Sequence, residues 1–400
     1  MSAGLTKSRL DRMREVLSGY VERGDLPGLV TLVSHNDDLH VEALGTLAFG
    51  DPRPMQRDTI FRIASITKLM TAVATMILVE ECKLRLDESI DDWLPELANR
   101  RVLKSLASEI DDTVPANRAI TLRDLLTFTM GFGSIMAMPD TYPIQKYIRD
   151  YGIGGDSPPH PAQTPATDQW IANLGKLPLI AQPGERWMYN VSADVLGVLI
   201  ARVAGQSFGD FLRQRIFDPL GMKDTAFFVP PDQLARLPVQ YAFDSQIQTI
   251  TVFDDVANSD WRQPPPFEAG SAGLVSTVDD FFAFSRMMLN KGRHGSTQIL
   301  ARATVELMTS DQLTPEQRIG ADIFFGGYSS WGLGMAVETR SDEIYHHPGR
   351  FGWEGGFGTS ARTDPANGMI GLLFSQRMMD SPASPKLYNN FWTLAYAAME

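Results

Sequence analysis

The chain has a single cysteine, Cys82, among 400 residues. One thiol excludes an internal disulfide framework and any cysteine-cluster metal site. Positive charge is also scarce: 36 Lys and Arg stand against 48 Asp and Glu, for a net charge of −12. That deficit argues against a nucleic-acid or anionic-membrane surface, since both need basic patches. Long apolar runs are missing. The longest, Leu69 to Val79, is too short to cross a bilayer and is interrupted by threonines. The first residues carry charges at Lys7, Arg9, Asp11, Arg12 and Arg14 in place of the apolar core of a signal peptide. A soluble, cytoplasmic protein is therefore expected. There is no fixed-period repeat and no low-complexity segment. Core-forming residues are plentiful: 44% are hydrophobic and 21% charged, near the globular averages.

Helical spacing covers residues 5–23, and two strand-like runs follow, Gly28 to Val33 and Val41 to Phe49, with a hairpin turn at His35-Asn-Asp-Asp-Leu. Ile63 to Lys83 reads as one long helix. Residues 84–264 carry helical segments such as 121–128 and 193–204, separated by Pro- and Gly-rich loops. The proline-rich stretch from Tyr151 to Thr167 reads as a surface excursion. Strand patterns return at Trp331–Val337, Glu343–His347, Gly356–Arg362 and Met369–Ser375, and a closing helix covers Leu387–Met399. Strands at both ends with helices between them predict a discontinuous α/β domain, 1–83 plus 265–400, around a mainly helical domain, 84–264.

Three segments carry groups suited to chemistry. In Ile63-Ala-Ser65-Ile-Thr-Lys68, Ser65 and Lys68 are three apart at a helix start, which puts both side chains on one face. A serine needs a base to become nucleophilic, and a lysine can be that base when burial lowers its pKa. The helix N-terminus adds N–H groups that favour an oxyanion. Ser-x-x-Lys alone is a weak signal, but here Lys68 is embedded at the edge of an apolar helix and needs a partner. In Gln182-Pro-Gly-Glu-Arg-Trp-Met-Tyr189-Asn190-Val191, Tyr189 ends a loop entering a helix, where a phenol can relay protons. In His346-His347-Pro-Gly-Arg350-Phe-Gly352-Trp353-Glu354-Gly355-Gly356, the glycine density beside a strand implies close backbone approach, and an edge strand there can offer N–H groups to an acyl oxygen. The adjacent histidines point to opposite sides of a strand and have no further ligand at metal spacing, so no metal site and no cofactor are expected.

With these three features in this order, the chain resembles the serine β-lactamase and penicillin-binding-protein superfamily, closest to class C β-lactamases and family VIII carboxylesterases. Ser65-Ile-Thr-Lys68 matches its Ser-x-x-Lys, and Tyr189 matches the tyrosine of its Tyr-x-Asn element. Trp353-Glu-Gly355 looks like the Trp-x-Gly of esterase members where β-lactamases have Lys-Thr-Gly. Leu122-Arg-Asp-Leu-Leu-Thr, Phe217-Asp-Pro-Leu-Gly-Met and Gly270-Ser-Ala-Gly-Leu-Val-Ser-Thr add to the likeness. The resemblance covers about residues 10 to 380. It implies a β-lactamase-like α/β (α+β) fold: an antiparallel sheet flanked by helices, an inserted helical domain, and an active site in the groove between them.

Two departures stand out. Val191 fills the place of the family's asparagine, with Asn190 one position early, and the Lys-Thr-Gly lysine is missing. Either Arg350-Phe-Gly352 or Trp353-Glu-Gly355 fills that slot. The second register fits the esterase pattern and gives the oxyanion N–H to Gly356. The first gives it to Trp353 and lets Arg350 meet a substrate carboxylate. The resemblance thus implies an acyl-serine hydrolase, a carboxylesterase on small or short-chain esters. Ser65 is its nucleophile, Lys68 and Tyr189 share the base role, and the N–H groups of Ser65 and Gly356 form the oxyanion hole. Trp353, Gly355, Asn190 and Arg350 contact substrate. The partner is a small-molecule ester or amide, with neither nucleic acid nor membrane, and the sequence sets no oligomeric state. Hydrolysis of β-lactams, D-amino-acid peptides or lactams, and acyl transfer, are alternatives on the same site. The non-enzyme alternative is a silent binding module, against which Ser65, Lys68 and Tyr189 argue.

Overall fold

The computed structural model describes residues 4–36, 38–154, 158–383 and 385–399. Asp37 of the expected hairpin turn and residues 155–157 of the expected excursion lie outside the described residues. Seven strands form one antiparallel sheet: β1 (Gly28–His35), β2 (Asp38–Gly45), β3 (Ser329–Trp331), β4 (Ala336–Glu338), β5 (Phe351–Gly355), β6 (Thr359–Asp364) and β7 (Met369–Ser375). Their order is β3-β4-β5-β6-β7-β1-β2, so the first strands of the chain join the last ones, with Leu29 opposite Ser375 and His35 opposite Met369.

Every residue of β1 and β7 is buried, because both faces of the sheet are covered. Alternate side chains go to opposite faces. Leu29, Val33, Met369 and Leu373 meet α1 (Lys7–Glu22) and the closing helix on the outer face. Val30, Leu32, Ile370, Leu372 and Phe374 join the large core with α2 (Thr67–Glu80) on the inner face. That core continues into the middle of the chain through α3 (Val191–Ala204). The sheet is followed by α5 (Lys386–Ala397), and α4 (Asp322–Phe325) precedes β3.

Three expectations are corrected. The run Trp331–Val337 is not one strand: β3 and β4 are separated by a turn in which Gly334 takes φ +83. A Cβ there would stand 2.3 Å from the Ala72 methyl of α2, so chain reversal and close approach both require glycine. Glu343–His347 is a turn, closed by His346 N–H to Glu343 O at 3.1 Å. Local bonds compete with a ladder there: the His346 ring lies on Tyr328 with centroids 3.7 Å apart and Nδ1 is 2.7 Å from Asp342. The long helix starts at Thr67 rather than Ile63, after a 3-10 turn over Ala64–Ile66. The middle segment also holds two small hairpins, Arg101–Leu103 with Thr113–Pro115 and Gln240–Asp244 with Thr249–Asp254. No single helix among the described residues is long and apolar enough to cross a membrane.

Candidate active site

Ser65 sits in the tight turn that feeds α2, directly after Ala64 at φ +45. A non-glycine residue in the left-handed region costs roughly 1–3 kcal/mol and is tolerated where the surroundings fix it. Here Ile63 is clamped on both sides: its N–H donates to Leu274 O at 3.0 Å and its carbonyl accepts Thr359 Oγ1 at 2.9 Å. The second bond joins the Ser65 turn to the start of β6. At the end of β5, a Cβ on Gly355 would stand 2.5 Å from Ile63 O, so only glycine lets the strand come this close. Gly356 follows in open space at the surface. β4 pairs with β5 only at Phe351 and Gly352, which leaves the rim from Trp353 onward without a strand on that side.

One helical turn beyond Ser65, Lys68 is 1% exposed. α2 is buried on all sides from Thr67 to Leu78, so the amine is surrounded by core. Its Nζ meets three oxygens: Ser65 Oγ at 3.0 Å, Asn190 Oδ1 at 2.8 Å and Ser271 O at 2.7 Å. Burial pulls its pKa from 10.5 to about 7, and the carboxylate of Asp194 opposes that fall. A neutral amine has two N–H groups and one lone pair. Asn190 Oδ1 and Ser271 O are pure acceptors and take the two N–H groups, which leaves the lone pair for the Ser65 hydroxyl.

Tyr189 arrives from the loop before α3. Its ring lies 4.5 Å from Lys68 Nζ, and its Oη accepts the Trp353 indole N–H at 2.8 Å. Burial raises the phenol to about 12, against the lowering effect of its hydrogen bonds with Ser65 and Trp353. Trp187, Phe324 of α4 and Trp353 surround the ring, with centroids 5.7, 4.8 and 5.7 Å away. Asn190 forms a γ-turn at φ 83 and ψ −67, and Val191 N–H reaches back to Tyr189 O at 3.3 Å. This turn swings the asparagine onto Lys68 although it stands one position before the family's place. The structure thus seats Asn190 Oδ1 on the amine.

The structure brings Ser65, Lys68, Tyr189, Asn190 and Trp353 together, with Gly355 and Gly356 beside the Ser65 turn. Arg350 is corrected. It precedes β5 on the outer face, where it is paired with buried Glu338 and stacked 4.1 Å from the Trp392 ring. Strand alternation turns it away from Trp353, so it does not contact a substrate in the groove. His347 likewise stacks on Tyr396, at 5.4 Å.

Two further residues escaped the sequence analysis. Asp194, on α3, is 5% exposed and accepts Ser271 N–H at 2.9 Å. Ser271 in turn supplies the carbonyl that holds Lys68. The available signal was an acid one turn inside the apolar run Val191, Ala193, Val195, Leu196.

A family model described as Beta-lactamase matches residues 13–390. The chain belongs to the beta-lactamase family. Among its relatives within and around that family, Protein Rv1367c of Mycobacterium tuberculosis strain H37Rv is 35% identical over 385 residues, covering 93% of this chain and 91% of that protein. Esterase EstB of Burkholderia gladioli is 26% identical over 401 residues, covering 94% and 92%. Among solved structures, EstCE1, described as a hydrolase with promiscuous acyltransferase activity, superposes with a TM-score of 0.81 at 22% identity, covering 98% of this chain and 99% of that one. The beta-lactamase fold is therefore shared over nearly the whole chain, and family membership makes the protein an enzyme of the serine hydrolase class.

Proposed function

We propose that this beta-lactamase-family enzyme is a carboxylesterase acting on small or short-chain esters through an acyl-Ser65 intermediate. The observation that carries the reading is the set of partners around Lys68. Two fixed acceptors occupy its N–H groups and aim its lone pair at Ser65 Oγ, 3.0 Å away. With Lys68 lowered to about 7 and Tyr189 raised to about 12, the amine is the base and the phenol stays protonated at neutral pH. Ser65 attacks the ester carbonyl as its proton passes to Lys68. The N–H groups of Ser65 and Gly356 hold the oxyanion, each such donor being worth about 3 kcal/mol. The proton returns through Tyr189 to the leaving alkoxide, and water then attacks the acyl-enzyme by the same route. The groove lies between the sheet-bearing part, 1–83 with 265–400, and the helical part, 84–264.

An ester fits better than a β-lactam. The indole of Trp353 stands at the phenol, and the arginine that offered a charge to a substrate carboxylate is buried behind the sheet. The relative EstB, an esterase, is consistent with this choice. The test is turnover of p-nitrophenyl acetate and butyrate, compared with nitrocefin, together with fluorophosphonate labelling. Ester turnover lost in Ser65→Ala, with label on Ser65 in the wild type, is expected. Full activity in Ser65→Ala, or nitrocefin turned over much faster than the esters, overturns the proposal.

A further inference from the structure

Ser271 stands between a buried acid and the buried base. Its N–H and its side chain donate to the Asp194 carboxylate, the former at 2.9 Å, while its carbonyl accepts Lys68 Nζ at 2.7 Å. The loop that carries it is wedged between helices. Thr71 Oγ1 of α2 donates to Gly270 O at 2.7 Å, and Leu274 N–H reaches Thr67 Oγ1 at 3.3 Å. A carboxylate as deep as Asp194 is costly unless it is matched by opposite charge. Among the described residues it makes no contact ion pair, and its hydrogen-bond donors both belong to Ser271. A buried acid with that arrangement contributes little to stability and is suited to holding another group in place.

We propose that Asp194 is the positioning residue of the base: it fixes the Ser271 carbonyl on Lys68, and its negative charge sets the pH at which Lys68 gives up its proton. This rests on the reading of Lys68 as the base for Ser65. The other groups around the amine leave this role to Asp194. From the loop before α3 comes Tyr189, a phenol held neutral by burial. From β5 comes Trp353, which is uncharged. Glu268, at the start of the Ser271 loop, is taken by Gly209 N–H at 2.7 Å. Asp194 itself is raised to about 6 by burial, opposed by its bonds to Ser271 and by Lys68. Acid and amine therefore lose their protons in adjacent steps that belong to the pair.

The sign follows. The Asp194 anion favours the lysine ammonium. Without it, Lys68 becomes neutral at lower pH and is a weaker base. The experiment is the pH dependence of kcat/KM for p-nitrophenyl butyrate in wild type, Asp194→Asn and Asp194→Glu, with fluorophosphonate labelling rates alongside. In Asp194→Asn the acidic limb is expected to move down by roughly one pH unit or more, with a lower plateau. Asp194→Glu is expected to return the limb toward the wild-type position. An unmoved limb in Asp194→Asn, or a Glu variant that behaves like Asn, overturns the role. The wild type gives an independent reading if a variant does not fold: carboxyl infrared spectra are expected to show Asp194 ionised on the active side of the limb, and a buried carboxyl still protonated at pH 8 overturns the proposal. A wild type that neither hydrolyses the ester nor takes up the probe refutes the hydrolase reading instead.

Discussion

Lys68→Met separates what the amine does for chemistry from what it does to stability. The lysine titrates at 10.5 when exposed and at about 7 when buried in the fold. Between those values the unfolded chain binds a proton that the native protein does not, so native stability rises with pH across the window. Each unit of that difference is worth about 1.4 kcal/mol, and the whole displacement is about 5 kcal/mol. Below pH 7 the wild type bears this cost in full, and above 10.5 it bears none. Methionine fills a similar volume and does not titrate. The substitution strips a donor from Asn190 Oδ1 and Ser271 O, an offset of about 1–3 kcal/mol for each group left unpaired. The offset does not vary with pH, so the trend is the clean readout. Asp194, deprived of its nearby cation, holds its proton to higher pH, which moves the comparison in the same direction. Urea unfolding at pH 7, 8 and 9 is expected to show the wild type gaining about 2–3 kcal/mol on the variant over that range, while ester hydrolysis by the variant is lost. Two stability lines that run parallel from pH 7 to 9 would show that Lys68 keeps its proton in the fold, and the argument for a neutral base would fail.

Three other substitutions probe the remaining contacts. Trp353→Phe removes the 2.8 Å bond to the Tyr189 phenol and keeps the ring; kcat is expected to fall about tenfold for a lost bond of about 1.4 kcal/mol, and an unchanged kcat would remove the indole from the proton route. Phe324→Ala opens the aromatic wall 4.8 Å from Tyr189; KM for butyrate is expected to rise severalfold with kcat little changed, whereas an unchanged KM would place the acyl group elsewhere. Arg350→Met leaves Glu338 buried without its partner and is expected to cost roughly 3–5 kcal/mol in denaturant titrations, with kcat/KM of the folded enzyme unchanged; a selective rise in KM for carboxylate-bearing esters would return Arg350 to the groove.

How far the sequence could be read depended on whether the signal was local. The central strands β1 and β7 announce themselves as runs rich in apolar residues at both odd and even positions, because a strand covered on both faces has no polar side to show. Ser65 and Lys68 are neighbours on one turn, so their spacing alone brings them together. Tyr189 and Trp353 lie far along the chain, and it was the order of motifs in a resembling family that joined them to Ser65. Arg350 was misjudged because a glycine-rich segment leaves the phase of strand alternation open, and one step of phase moves a side chain to the other face. Ala64 was opaque for a related reason: its positive φ stands beside a tertiary clamp, Ile63 to Leu274 and Thr359, and no preference of alanine signals it. Asp194 and Ser271 were hidden because their importance lies in a contact between two segments, not in either segment.

The pairing of β1 with β7 also has a consequence during synthesis. The strand at Gly28–His35 leaves the ribosome with β2 as its only sheet neighbour, and its other partner, Met369–Ser375, follows only after the whole middle of the chain. Until then one edge of the hairpin is unpaired, and the turn bearing the nucleophile lacks its clamp to Thr359. Sheet closure of this kind draws on contacts far apart in sequence and is slow. The nascent enzyme therefore carries an unpaired strand edge, a site for aggregation, and the turn bearing the nucleophile is clamped only once β6 and β7 dock.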